Sequence, residues 1–346
     1  MIKNKLKYKM VVGDSVDGIS VVYYLSDGQL VKELLRDDGI FIVFSPYSRF
    51  GDFYDGLAWF EDHKKVGYIN REGRIVISPD YIECEDFSEG YSFAYNIFSS
   101  LINIKGEEIK IFMDENVITT EFREGLSRVG IYSDDMNYRT DGFINYDGDL
   151  VIPYTYRSEI RSPFDLIDEN DHFSEGLARV MIDRKYGYID KNGDLIIDAQ
   201  YDSASKFTYN LAAVSTNGKA GFIDDNGNEV VDLVYKDAGF SFNGNLFVRN
   251  NINWNIINYE GKVIEKRSFD EVKFINSKIC AVKKNKKWGL LNNDYDFVFP
   301  CIADFPPFYH EGIFRYVING RIAVRDIFDN ELVSDEIYRF PLSMIN

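Results

Sequence analysis

The sequence predicts an all-β chain of tandem repeats about 34 residues long, forming a β-propeller-like ring or, alternatively, an open β-solenoid or superhelix. Three observations carry this. A phenylalanine recurs at positions 53, 87, 122, 173, 207, 240, 274 and 308, spaced by 34, 35, 51, 34, 33, 34 and 34 residues. A glycine inside the pattern xG[YFL][IL][ND] recurs at 67, 142, 187, 221 and 289, with Asn255 in the same slot. Apolar and polar residues alternate over stretches of about five, the period of a strand with one buried face. Two independent markers sharing one period in the 20–50 range indicate a solenoid, propeller or array.

Within one unit, LARV and YGYID read as the first two strands, and the following IDKNGD reads as a tight turn. Its glycine, at 73, 148, 193, 227 and 261 in successive units, supplies the positive φ that such a turn demands. The Asn or Asp three residues earlier (Asn70, Asn145, Asp190, Asp224, Asn258) is placed to accept backbone N–H bonds across the turn. A third strand ends on an aromatic at Tyr81, Tyr156, Tyr201, Tyr235 or Phe269. These rings and the opening phenylalanines are expected to pack between neighbouring units, each contributing about 2–3 kcal/mol before entropy is counted. Small residues at Ala58, Ser127, Ala178, Ala212 and Cys280 would let adjacent sheets approach closely. A 34-residue unit holds three strands, giving an open superhelix, or four short ones, giving a propeller blade.

The unit FxEGLAxV…WGYID…G…VI…Y resembles the WG (KWG) repeat of bacterial proteins, and the signature pair is literal at Trp288-Gly289. Elsewhere the pair reads Val66-Gly67, Tyr186-Gly187 and Ala220-Gly221, and Trp254 is followed by Asn255. The resemblance is weaker at 87–121, where SLINIKGEE lacks the glycine, and at 308–346, where Ala323 is assigned to that slot. It implies an all-β repeat architecture that serves binding or interaction, with no catalytic residues. Residues 1–52 read as a degenerate N-terminal repeat or cap, 53–307 as the array with insertions near 131–141 and 157–171, and 308–346 as a degenerate C-terminal repeat or cap.

Charge narrows the function classes. With 39 Lys+Arg against 56 Asp+Glu the net charge is −17, which repels nucleic acid and anionic membranes. Cys84, Cys280 and Cys301 have neither disulfide-framework nor CxxC spacing, and no apolar run reaches membrane-spanning length, so a cytoplasmic location is expected. His63, His172 and His310 fall at unrelated places in the unit, outside any metal or catalytic spacing, and neither a cofactor nor an enzymatic activity is expected. DKNGD resembles part of a calcium loop but lacks the later glutamate, and reads as a hairpin turn.

Insertions in repeat arrays map to surface loops and often to the binding face. Asp134, Asp135, Asp141, Asp165, Asp168, Glu169 and Asp171 lie in or beside the two insertions, and are expected in solvent as a docking surface for a protein partner, possibly basic. The alternative is a solvated acidic surface that aids solubility. The expected function is a non-enzymatic binding scaffold. The alternatives are a glycan-binding module using exposed aromatics, or an acidic immunity or inhibitor protein for a basic toxin or nuclease.

Overall fold

A computed structural model describes residues 9–42, 49–113, 117–133, 138–159, 171–327 and 330–337. Among them every regular element is a strand, arranged in nine antiparallel sheets whose strands neighbour one another in chain order. Eight sheets have four strands, and the one at 178–201 has three among the described residues. A four-stranded meander repeated in tandem is the blade of a β-propeller. We number the blades one to nine, at 10–42, 49–81, 83–112, 117–159, 178–201, 203–235, 237–269, 271–303 and 308–337.

Blade six is representative: Ser203–Ala204, Ala212–Thr216, Lys219–Ile223 and Glu229–Tyr235. Its first strand has two residues, too few to register as a period. The turn positions behave as the sequence implies. Gly193 has φ +85° and Gly227 φ +82°, and the Asp190 carboxylate accepts the N–H groups of Asn192 and Asp194 at 2.9 Å each.

The marker glycine has a different cause, a close approach of backbone. Tyr186 pairs with Tyr201 and Tyr188 with Ile197, so three residues of the third strand bulge over Gly187. A Cβ at Gly187 would stand 2.5 Å from the Ile197 carbonyl oxygen and 2.8 Å from the Ala199 nitrogen. Gly221 and Gly289 meet the same bulge. In blade three the ladder runs on through Ser100–Ile111 and Leu101–Lys110, and no glycine is required. In blade nine the pairs Arg321–Ile337 and Ala323–Val333 bring Ile322 under the bulge, which corrects the assignment of Ala323 to that slot.

The opening phenylalanines at 53, 87, 122, 173, 207 and 240 are buried. Phe87, Phe173 and Phe207 pack edge-on against the aromatic that follows the marker glycine of the preceding repeat. Tyr68, Phe143 and Tyr188 are those partners, at centroid distances of 4.7, 4.9 and 4.8 Å. Phe308 departs from this role: it is 42% exposed, with the Arg315 guanidinium 4.2 Å from its ring centre. Part of the excess length of the 122–172 unit extends strands, since Tyr132 pairs with Arg139 and Tyr138 with Glu159.

The chain divides into two compact units. One gathers the described residues before 49, residues 69–75 and those from 269 on. There blades one and nine pack together: the Asp14 N–H donates to the Glu311 carbonyl at 2.8 Å and the Ser334 hydroxyl to the Gly28 carbonyl at 3.2 Å. In the same unit the buried Arg71 guanidinium, from the 69–75 turn, pairs with the Glu311 carboxylate.

The other unit, 49–68 and 76–268, carries a repeated clamp. Asp55-Gly56, Glu89-Gly90, Glu124-Gly125 and Glu175-Gly176 are two-residue turns with both φ positive. Each acidic side chain grips the next repeat's turn. Glu89 accepts N–H bonds from Glu124 and Gly125 at 2.7 and 2.8 Å, Glu124 from Glu175 and Gly176 at 2.6 and 3.0 Å, and Glu175 from Tyr209 and Asn210 at 2.8 and 2.7 Å. Asp55 takes the Gly90 N–H at 2.7 Å. Left-handed backbone costs a non-glycine residue roughly 1–2 kcal/mol. Two charge-assisted bonds, worth about 1.5–3 kcal/mol each, outweigh that cost.

Two expectations follow for chemical denaturation. Phe207→Ala should cost about 3–5 kcal/mol, as large-to-small core changes do, whereas Phe308→Ala should cost less than about 0.5 kcal/mol, as exposed substitutions do. Equal losses at the two positions would contradict the burial described. Gly187→Ala should destabilise although its φ suits alanine, because the bulge leaves no room for a methyl group; an unchanged midpoint would remove the close-approach account.

Candidate functional site

The residues that lead from one blade to the next sit on a short first strand and end at the opening phenylalanine. In blade three this segment is Glu83–Cys84 followed by Glu85 and Asp86, in front of Phe87. Its backbone is pinned at Glu85, whose N–H donates to the Phe93 carbonyl at 2.9 Å and whose carbonyl accepts the hydroxyls of Tyr68 and Ser92 at 2.5 and 2.8 Å. Thr120 and Glu121 hold the corresponding place before Phe122, and His172 holds it before Phe173.

These segments border two pockets that share Trp59 and Cys84. The first, about 440 Å³, adds Glu61, Lys64, Val66, Ile82 and Glu83. The second, about 420 Å³, adds Glu85, Asp86, Thr120, Glu121 and His172. Both volumes fall within the range of small-ligand sites. Trp59 is half-buried in the strand Leu57–Asp62, and a Cβ on Gly51 would stand 2.2 Å from its Nε1, so the indole lies directly on bare glycine backbone.

Five carboxylates, Glu61, Glu83, Glu85, Asp86 and Glu121, and one lysine line this combined groove, and Glu121 is already paired with the Arg123 guanidinium at 2.6 Å. Burial, reinforced by Glu121, Glu83 and Asp86, raises the Glu85 carboxyl to about 7 against a bond from the Tyr95 hydroxyl, which also meets the Thr119 hydroxyl at 2.8 Å. Burial also lowers the His172 imidazole below its ordinary value, and its Nδ1 is enclosed without a hydrogen-bond partner. His172 therefore adds no positive charge at neutral pH. Burial pushes the Cys84 thiol up to about 12, so it is not the thiolate that nucleophilic chemistry needs. No group of three or more metal-ligating side chains converges among the described residues.

The acidic residues singled out from the sequence lie elsewhere. Asp134, Asp135, Asp165, Asp168 and Glu169 lie outside the described residues. Asp141 and Asp171 do not face solvent, which corrects the expectation for these two. Asp141 is fully buried and accepts from Arg128 at 2.7 Å and Arg139 at 2.5 Å; Asp171 is 8% exposed and accepts from Arg179 at 2.6 Å. Arg128 also donates to the carbonyls of Asp171 and Arg179 at 3.1 and 2.9 Å. Buried charge survives only when paired, and here the pairs tie blade four to blade five. The groove residues were overlooked because each is an ordinary Asp, Glu or His in isolation. Their signal is positional: beside a fixed phenylalanine the preceding residue varies between repeats, as Asp86, Glu121 and His172.

Comparison with known proteins gives the following. Residues 67–95, 164–186, 186–219, 221–254 and 254–288 match the WG containing repeat. No curated protein matches the sequence. Among solved structures the chain is similar to a eukaryotic initiation factor, with TM-score 0.51 at 10% identity over 96% of this chain and 97% of that one. It is also similar to the Dos1 propeller, with TM-score 0.38 at 12% identity over 80% and 92%. At such identities the likeness concerns the fold alone.

Two variants test this electrostatic picture. Because Glu85 keeps its proton to about pH 7 while an unfolded glutamate loses it near 4.5, the folded state binds the extra proton in that window, and stability falls as pH rises through it. Glu85→Gln should therefore be more stable than wild type at pH 8 and little different at pH 4, read from denaturation midpoints; parallel curves would mean that Glu85 is ionised throughout. Asp141→Asn should cost about 3–5 kcal/mol, because it strands Arg128 and Arg139 without their shared counter-ion. A loss under about 1 kcal/mol would mean that the arginines reach water.

Proposed function

The chain carries tandem repeats of the WG family on a β-propeller fold, and from that premise we propose that it is a non-enzymatic scaffold that binds a protein partner in the groove bordered by blades two, three and four. The observation that carries this reading is the pair of pockets that share a single half-buried tryptophan. Interface hot spots are enriched in tryptophan seated in pockets and ringed by polar groups. An excess of carboxylates over cations around the groove favours a basic partner, both by complementarity and by faster encounter. The rigid packing of the repeats supports a preformed site, which lowers the ordering cost of association.

Enzymatic chemistry finds less support in the same groove. Its thiol is protonated, its imidazole is neutral and enclosed, and its most perturbed carboxyl is already hydrogen-bonded by Tyr95.

The test is capture from the native host with wild-type protein, with Trp59→Ala, and with Phe308→Ala as a surface control, followed by identification of the captured chain. The expected result is a basic protein retained by wild type and the control, released by moderate salt, and lost with Trp59→Ala. A partner held equally by Trp59→Ala would move the binding surface away from the groove.

A further inference from the structure

We propose that Asn217-Gly218 is a self-modification site, at which the chain converts its own asparagine to aspartate and isoaspartate and so adds charge at the joint between blades five and six.

An Asn-Gly pair occurs at 192, 217, 226, 243 and 319, each time with the asparagine in a turn. The nucleophile in this chemistry is the backbone nitrogen of the glycine. It attacks the asparagine Cγ, so that an N–Cγ bond forms, the Cγ–Nδ2 bond breaks, and the nitrogen's proton leaves with the amide as ammonia. Water then opens the succinimide at either carbonyl, giving aspartate or, with one more methylene in the backbone, isoaspartate. The sequence of steps is redox-neutral. A glycine N–H already held by an acceptor reacts poorly, because that bond must break before the proton can leave.

The copies differ at this nitrogen. Gly193 donates to the Asp190 carbonyl and Gly227 to the Asp224 carbonyl, at 3.0 Å each. An isoleucine of the preceding blade also crowds both, since a Cβ there would meet Ile152 at 3.2 Å and Ile197 at 3.3 Å. The decisive comparison is between 217 and 319, whose backbones match: φ is 51° and 73° at Asn217 and Gly218, and 50° and 74° at Asn319 and Gly320. Each turn is gripped by an aspartate that is itself paired with a lysine, Asp202 with Lys185 and Asp304 with Lys287. Asp304 holds the Gly320 N–H at 2.9 Å, whereas Asp202 holds the Asn217 N–H at 2.7 Å. That leaves the Gly218 N–H without an acceptor among the described residues. Gly218 is exposed, and nothing stands within 4 Å of where its Cβ would be. A grip moved by one residue thus frees the nucleophile in blade six and holds it in blade nine. Asn243-Gly244 shares the open turn, with φ of 48° and 72°, and is expected to react next.

The consequence falls on the joint. Aspartate at position 217 puts a second carboxylate in the turn that Asp202 grips, and isoaspartate displaces the N–H that Asp202 holds. Either change weakens the Lys185–Asp202 link from blade five to blade six.

The full chain is incubated in mildly alkaline buffer, and peptide mapping with electron-transfer fragmentation follows aspartate and isoaspartate at the five positions. Position 217 should convert at least about tenfold faster than 319, the factor that a bond to a carboxylate imposes, and about threefold or more faster than 192 and 226, where the acceptor is a neutral carbonyl. In denaturant the five rates should converge. Asp304→Ala frees the Gly320 nitrogen and should speed conversion at 319 by about tenfold. Asn217→Asp should accelerate amide exchange at 203–204 and 214–219 by up to about fivefold, the scale of an exposed ion pair, and leave 178–182 unchanged. Equal rates at 217 and 319 in the folded chain would overturn the proposal, and so would an unchanged rate at 319 in a folded Asp304→Ala variant. If that variant does not fold, the wild-type ratio decides. Unaltered exchange in Asn217→Asp would overturn the effect on the joint.

Discussion

The carboxylate that grips the next repeat's turn is the contact on which the 49–268 array depends. It explains why glutamate occupies a backbone conformation that favours glycine or asparagine: at Glu89, Glu124 and Glu175 the left-handed φ aims the side chain at two N–H groups that a tight turn cannot satisfy internally. Serine supports the same joint, since Ser88 donates to the Phe122 carbonyl at 2.8 Å and Ser174 to the Phe207 carbonyl at 2.7 Å. At Glu89 burial works against ionisation, but the bonds from Gly125, Tyr146 and Glu124 prevail and hold its carboxyl below the usual range. Phenylalanine then closes the joint from the apolar side. The F-S-E-G string is thus a single mechanical part, in which each residue contributes a different force.

Much of this fold was legible because its determinants repeat. Glycine at a fixed offset from phenylalanine can be seen without knowing what it does, and the hairpin glycines and their Asx partners read correctly because a tight turn has few chemical solutions. The two-residue first strands escaped notice, since alternation needs more residues to show itself. Phe308 misled because identity at a repeat position does not guarantee burial when the neighbouring surface differs. The marker glycine was visible, but its reason was not: the bulge pressing on Gly187 comes from residues 198–200, whose side chains give no hint of their backbone path.

The site was far less legible, for a physical reason. Asp141 and Asp171 drew attention as acids in an irregular stretch, yet charge in a sequence does not disclose whether an arginine from another strand is waiting for it. Arg128, Arg139 and Arg179 were, and an apparent solvent patch became an internal bridge. Conversely Glu85, Asp86, Glu121 and His172 come from three separate repeats, and only the curvature between blades makes them neighbours of Trp59. Function in a repeat array sits where the copies differ, and those differences acquire meaning only once the copies are stacked.

The clamp has a consequence for how such a chain can change over generations. Each regular copy contains both plug and socket, the acidic side chain facing forward and the paired N–H groups facing back. Copying or deleting a whole repeat, from one clamp turn to the next, therefore leaves every remaining junction mated, and extra residues inside a repeat are tolerated, as in the 51-residue spacing between Glu124 and Glu175. At Tyr209-Asn210 the socket is kept, both N–H groups donating to Glu175, but no acidic residue stands in the plug position.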